Sequence, residues 1–177
     1  MAPAVSIRIA GVPDARAISV VHVRSWQAAY RGLIPQDYLD SLDLDQVSAR
    51  RERSLAEQDW PRRGVLVAEQ AGEIVGFSGT GPSRDDDLDP ATVGEVNSIY
   101  LLPQAWGTGL GRELMSAARA GLRQAGFRDA ALWVLDTNER ARRFYAADGW
   151  RPDGAAKLDD NRPGLTLSEV RYRRSLA

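Results

Sequence analysis

Apolar and polar residues alternate over 6–9, the spacing of a half-buried strand. Asp14 then offers an N-cap before a helical stretch that runs to about Tyr30. On that stretch Ile18, Val21, Ser25 and Ala28 share one face, while His22, Trp26 and Tyr30 lie four apart along one edge. Gly32 and Pro35 break the chain, and residues 37–42 and 44–58 predict two further helical pieces rich in charge. Residues 65–68 and 74–78 read as strands joined at Ala71-Gly72, a hairpin. An acidic loop over 84–90 leads to a strand over 93–101.

The clearest helix follows. Leu110, Leu114, Ala117, Ala118, Gly121, Leu122 and Ala125 recur at helical spacing, Arg112, Glu113, Ser116, Arg119 and Arg123 fill the other face, and Gly126 ends it. Residues 130–135 are apolar throughout, as in a strand buried on both faces. A helix over 138–147 stops at Gly149, and residues 151–157 and 166–173 predict closing strands. Hairpins and a strand–helix–strand crossover coexist, so the class is α/β with a mixed sheet. A chain of 177 residues suits one domain over 1–177.

Composition narrows the function. Net charge is -1, which argues against a general nucleic-acid binder. The absence of cysteine removes disulfides, cysteine–zinc sites and a thiol nucleophile. The longest apolar run, 130–135, is far too short to cross a membrane, and residues 1–10 lack the apolar core of a signal peptide. The expected location is cytoplasmic. The aspartates at 85–87 and Asp89 lack the spacing of a calcium loop and read as a solvated loop, so no metal is expected. His22, the only histidine, reads as structural.

The chemistry concentrates in Trp106-Gly107-Thr108-Gly109-Leu110-Gly111-Arg112, between a strand and a helix. Glycines on alternate positions leave peptide N–H groups uncovered where a helix dipole begins, which suits a diphosphate. The dinucleotide pattern G-x-G-x-x-G fails because Arg112 stands where its last glycine would, and a phosphate-binding Walker loop fails at Arg112-Glu113. The stretch instead resembles the acetyl-CoA signature Q/R-x-x-G-x-G/A of GNAT superfamily N-acetyltransferases, with Trp106 in place of glutamine or arginine. Asn138 followed by Phe144-Tyr145-Ala146-Ala147-Asp148-Gly149-Trp150 is similar to the family's second element, N…F-Y-x-x-x-G-F. Ile99-Tyr100-Leu101-Leu102-Pro103 resembles the family's fourth strand and its exit proline, and residues 25–42 resemble a bacterial subgroup.

The resemblance implies a mostly antiparallel twisted sheet, helices on both faces, and a splayed central parallel pair. It implies acetyl-CoA as co-substrate, with the pantetheine arm along Ile99, Tyr100 and Leu101, the diphosphate at residues 106–112, and Asn138 holding the arm from the other side. Tyr145 would protonate the departing thiolate. Glu95 is the candidate base, with Asn97, two residues on, on the same face to hold a water. Trp26 and Tyr30 would line the acceptor site. The expected partner is a small-molecule amine, with a protein N-terminus or lysine as the alternative acceptor. A homodimer is left open, and a non-catalytic acyl-CoA-binding module is the competing reading.

Overall fold

The computed structural model describes residues 5–177; the part of the signal-peptide reading that falls on residues 1–4 lies outside the described residues. Strand β1 (Val5–Ile9) leads into helices α1 (Ala15–Ala29), α2 (Gln36–Asp40) and α3 (Leu44–Ala56). The hairpin of β2 (Gly64–Gln70) and β3 (Glu73–Pro82) turns at Ala71-Gly72, and β4 (Val93–Leu101) follows the acidic loop. Then come α4 (Leu110–Gln124), β5 (Asp129–Leu135), α5 (Glu139–Ala147), β6 (Arg151–Arg162) and β7 (Leu165–Ser175). The strands order as β1-β2-β3-β4-β5-β7-β6. Every neighbouring pair is antiparallel except β4 and β5, which run parallel.

Helices cover both faces, and β4 shows how. Tyr100 stacks on His22 of α1, while its neighbour Leu101 lies beside Gly111 of α4 and Phe144 of α5. Successive strand residues point to opposite faces, so α1 and α4 sit on opposite sides of the sheet. The apolar stripe of α4 is buried through Leu110, Leu114, Met115, Ala118 and Leu122. Each fully buried leucine contributes about 1.5–3 kcal/mol, which far outweighs the weak propensity of Gly121 in mid-helix. Gly121 is present for space: a Cβ there would lie 2.5 Å from the Trp60 ring. Among the described residues no helix is long and apolar enough to cross a membrane.

The structure departs from the expectations at defined places. Asp14 precedes α1 but its side chain does not cap it; the carboxylate accepts the Gly11 N–H at 2.8 Å and pairs with Arg8 at 2.7 Å. Asp43 is the side chain that caps a helix in this region, accepting the N–H groups of Asp45 and Gln46. The closing strands are longer than their patterns predict. The extra part of β6, 158–162, belongs to an edge strand, with Leu158 72% exposed and the register broken between Asp159 and Arg162. An edge of that kind carries no alternating signal. The acidic loop is not simply solvated. Asp85 accepts the Trp133 Nε1–H at 3.0 Å, and Arg171, 5% exposed, holds Asp85 and Asp87 at 3.1 and 2.6 Å and Asp153 at 2.7 Å. Arg171 thus staples the loop to β7 and β6.

Candidate active site

Strands β4 and β5 pair only at Val93–Asp129, Gly94–Ala130 and Glu95–Ala131. Beyond Ala131, β5 continues along β7 to Leu135, while β4 follows β3 to Leu101. The two facing edges therefore splay apart, and backbone groups that would pair in a closed sheet line a cleft of about 1500 Å³. The cleft runs from the glycine turn, past Ile99, Asn138 and Tyr145, to Trp26, Tyr30 and Glu95.

At one end the turn has the form of an anion cradle. Gly107 and Gly109 have φ of +75 and +93, and a Cβ on either would meet nothing within 4 Å, so the space above them is open. Among the described residues no acceptor meets the N–H groups of Gly107, Thr108, Gly109 or Gly111. The Thr108 hydroxyl braces the turn by donating to the Ala105 carbonyl at 2.8 Å. Unpaired N–H groups at the start of a fifteen-residue helix favour a negative charge. Leu110 is buried and gives the turn only its backbone, whereas Arg112 lines the cleft. Trp106 points away from any role as a charge: its Nε1–H donates to the Leu101 carbonyl at 2.9 Å. Its ring carries the Arg140 guanidinium at 3.5 Å, which returns a cation to the cradle's edge. Only the three-dimensional path of α5 brings Arg140 to this place, so no sequence spacing reveals it.

Asn138 caps α5, its side-chain oxygen accepting the Ala141 N–H at 3.1 Å, and the residue also lines the cleft. Capping and ligand contact are thus compatible. Tyr145 is half-buried against Phe144 and Tyr172 and also lines the cleft. Burial, then the neighbouring Tyr100, pushes its hydroxyl above the ordinary tyrosine range, so it stays protonated across the working pH range. Trp150 is fully buried, its Nε1–H on Asp148 at 3.0 Å, and closes the far side of α5.

The middle of β4 carries a bulge. Ser98 pairs with Gly79 and Val96 with Thr80, which leaves Asn97 unpaired. The expected regular alternation of Glu95 and Asn97 on one face is therefore broken at Asn97. Gly94 faces Leu122 on the α4 side, so Glu95 faces the α1 side, as Tyr100 does. Asn97 is exposed and lines the cleft.

The end of the cleft at Trp26, Tyr30 and Glu95 is more highly charged than its sequence suggests. Glu95 is 2% exposed, and Arg84 gives it the backbone N–H and Nε at 3.2 Å and Nη2 at 2.7 Å. Both oxygens of the expected base are thus taken. Glu169, which sequence reasoning missed, is less encumbered: its partner is Lys157 at 3.7 Å. It stands on β7 opposite Leu135 and lines the cleft with Trp26 and Tyr30. Burial pushes its carboxyl up, against the pull of Lys157. Among the described residues no cluster of three metal-ligating side chains occurs.

His22 lies outside the cleft, stacked between Trp26, Phe77 and Tyr100, with no partner for Nδ1. Burial, then Arg51, Arg162 and Arg50, pushes its pKa down from 6.5 to about 4. The unfolded chain therefore binds a proton between those values that the folded chain does not, and stability falls as pH drops through that window. His22→Phe should flatten this slope, which amounts to about 3 kcal/mol at full protonation. Urea unfolding at pH 7 and pH 4.5 checks it, and an unchanged pH dependence in the variant would show that His22 contributes nothing to it.

The sequence model described as the acetyltransferase (GNAT) family matches residues 26–150. The uncharacterized N-acetyltransferase YuaI of Bacillus subtilis is 34% identical over 168 residues, covering 94% of this chain and 90% of its own. An uncharacterized N-acetyltransferase of Archaeoglobus fulgidus is 35% identical over 129 residues, covering 73% and 84%. Among solved structures, the PaiA N-acetyltransferase of Thermoplasma acidophilum in complex with coenzyme A superposes with a TM-score of 0.76 over 97% of this chain and 99% of its own, at 19% identity.

Proposed function

The chain belongs to the acetyltransferase (GNAT) family, and we propose that it moves an acetyl group from acetyl-CoA to a small primary amine by direct attack within the splayed cleft. The observation that carries this reading is the cradle of unpaired N–H groups at the head of a cleft that Tyr145 also lines. The residues suit the co-substrate: the turn at 107–111 takes a diphosphate, Arg112 and Arg140 add positive charge, and the free edge of β4 at Ile99 and Leu101 takes an amide-bearing arm as an added strand takes its neighbour. Asn138 offers its side-chain amide from the opposite side. Bound acetyl-CoA supplies a thioester carbonyl open to attack.

The protein's own groups then manage protons. The acceptor nitrogen forms a C–N bond as the C–S bond breaks. Tyr145 gives its proton to the departing thiolate, and the second proton that the nitrogen sheds as the amide forms restores the hydroxyl. The ammonium form of the amine cannot attack, so its proton must go first, and Glu169, which lines the cleft, is the base in this reading. Glu95, held by Arg84, keeps that guanidinium at the cleft. No cysteine is present to form an acyl-enzyme, which agrees with direct transfer. Thiol release from acetyl-CoA on addition of single amines tests the reading: release is expected with a subset of small amines, and release with none would refute it.

Glu169→Gln should lower kcat/KM about tenfold near neutrality, and the loss should shrink as pH approaches the amine's own pKa of about 10. Glu95→Gln should give a loss that does not depend on pH. The opposite assignment of these profiles would return the base to Glu95.

A further inference from the structure

The acceptor end of the cleft carries charged groups of both signs. Trp26 is 4% exposed and lines the cleft beside Tyr100, their ring centroids 6.2 Å apart. The Arg162 guanidinium lies 5.3 Å from the centroid of the Trp26 ring and spends Nη1 on Asp159 at 2.6 Å. Arg50 lines the same cleft and has no carboxylate partner among the described residues. Behind them Arg51 stacks 4.8 Å from the Phe77 centroid with Nε unmet. The combined field of Arg51, Arg162 and Arg50 also favours neutral His22. Glu169, with Lys157 at 3.7 Å, lines the same cleft from the neighbouring strand β7, within the field of Arg162.

We propose that the acceptor is an amine that also bears a carboxylate, the carboxylate received by Arg50 and Arg162 while the amine faces Glu169. The inference rests on the acetyl-transfer reading above and specifies its substrate class. Guanidinium groups match a carboxylate in shape as well as charge. A polyamine would place a second cation against the arginine wall, where at close range repulsion replaces attraction. The mixed signs of the site thus select for a zwitterion and against a dication.

The test compares norleucine and 6-aminohexanoate with pentylamine, which is either amino acid without its carboxylate, and with 1,5-diaminopentane, where a cation replaces it. At least one amino acid should exceed pentylamine about tenfold in kcat/KM, with the diamine slowest. In the double variant Arg50→Gln/Arg162→Gln the ratio of amino acid to pentylamine should collapse toward one. Turnover of pentylamine or the diamine equal to that of both amino acids would overturn the proposal, as would a ratio that survives the double variant. If no amine releases CoA, the transfer reading fails on its own account, and calorimetric titration of hexanoate into the CoA-loaded protein decides this one. Saturable binding that the double variant loses would support the carboxylate site, and no binding would overturn it.

Discussion

Gly109→Asp lowers acetyl-CoA affinity by roughly 10²-fold, about 2.7 kcal/mol, in a protein that remains folded. Gly109 has φ of +93, and nothing lies within 4 Å of a Cβ placed there, so the side chain itself fits. The backbone strain is a separate cost of about 1–2 kcal/mol, paid by the bare protein and seen as a lower Tm. Affinity falls for another reason. The new carboxylate occupies the space to which the unpaired N–H groups point, and two like charges about 4 Å apart repel by roughly 4 kcal/mol at an effective dielectric near 20. Gly109→Asn separates the effects, since it keeps the strain without the charge and should lose much less affinity. Calorimetric titration of both variants checks this. Equal losses would make the effect one of shape, and no loss in a folded Gly109→Asp protein would remove the diphosphate from this turn.

Tyr145→Phe should lower kcat roughly 10²-fold while acetyl-CoA binding changes little. The substitution keeps the ring that packs against Phe144 and Tyr172 and removes only the hydroxyl. Burial favours the protonated hydroxyl, so the proton is in place near neutral pH. Steady-state turnover and binding must be measured together. Loss of affinity with unchanged kcat would assign the hydroxyl to binding, and unchanged turnover would leave Tyr145 a packing residue.

The sequence was most legible where local chemistry and tertiary role agree. The spaced glycines announce both a turn and an anion cradle, and the stripe on α4 announces its buried face. Asn138 carries its cap and its cleft position in one signal, because both follow from its place at the start of α5. The acceptor end was illegible for the opposite reason. Glu169 reaches the cleft through the pairing of β7 with β5, a register set between distant segments. Arg84 takes up Glu95, and Arg171 the loop aspartates, across gaps in sequence that no periodicity spans. The bulge at Asn97 is silent too, since an extra residue in one strand leaves the run of 93–101 looking regular while reversing which side chains face the acceptor.

The most direct test of acetyl transfer to an amine uses acetyl-CoA labelled with deuterium on its methyl group, incubated with the protein and the amino acids and amines above. Mass spectrometry should find the labelled acetyl group on the nitrogen of one of these acceptors, in amounts equal to the CoA thiol released and strongly reduced with Tyr145→Phe. Labelled acetyl-CoA that binds tightly but is recovered intact with every acceptor would contradict the account and leave a module that binds acyl-CoA without transferring it.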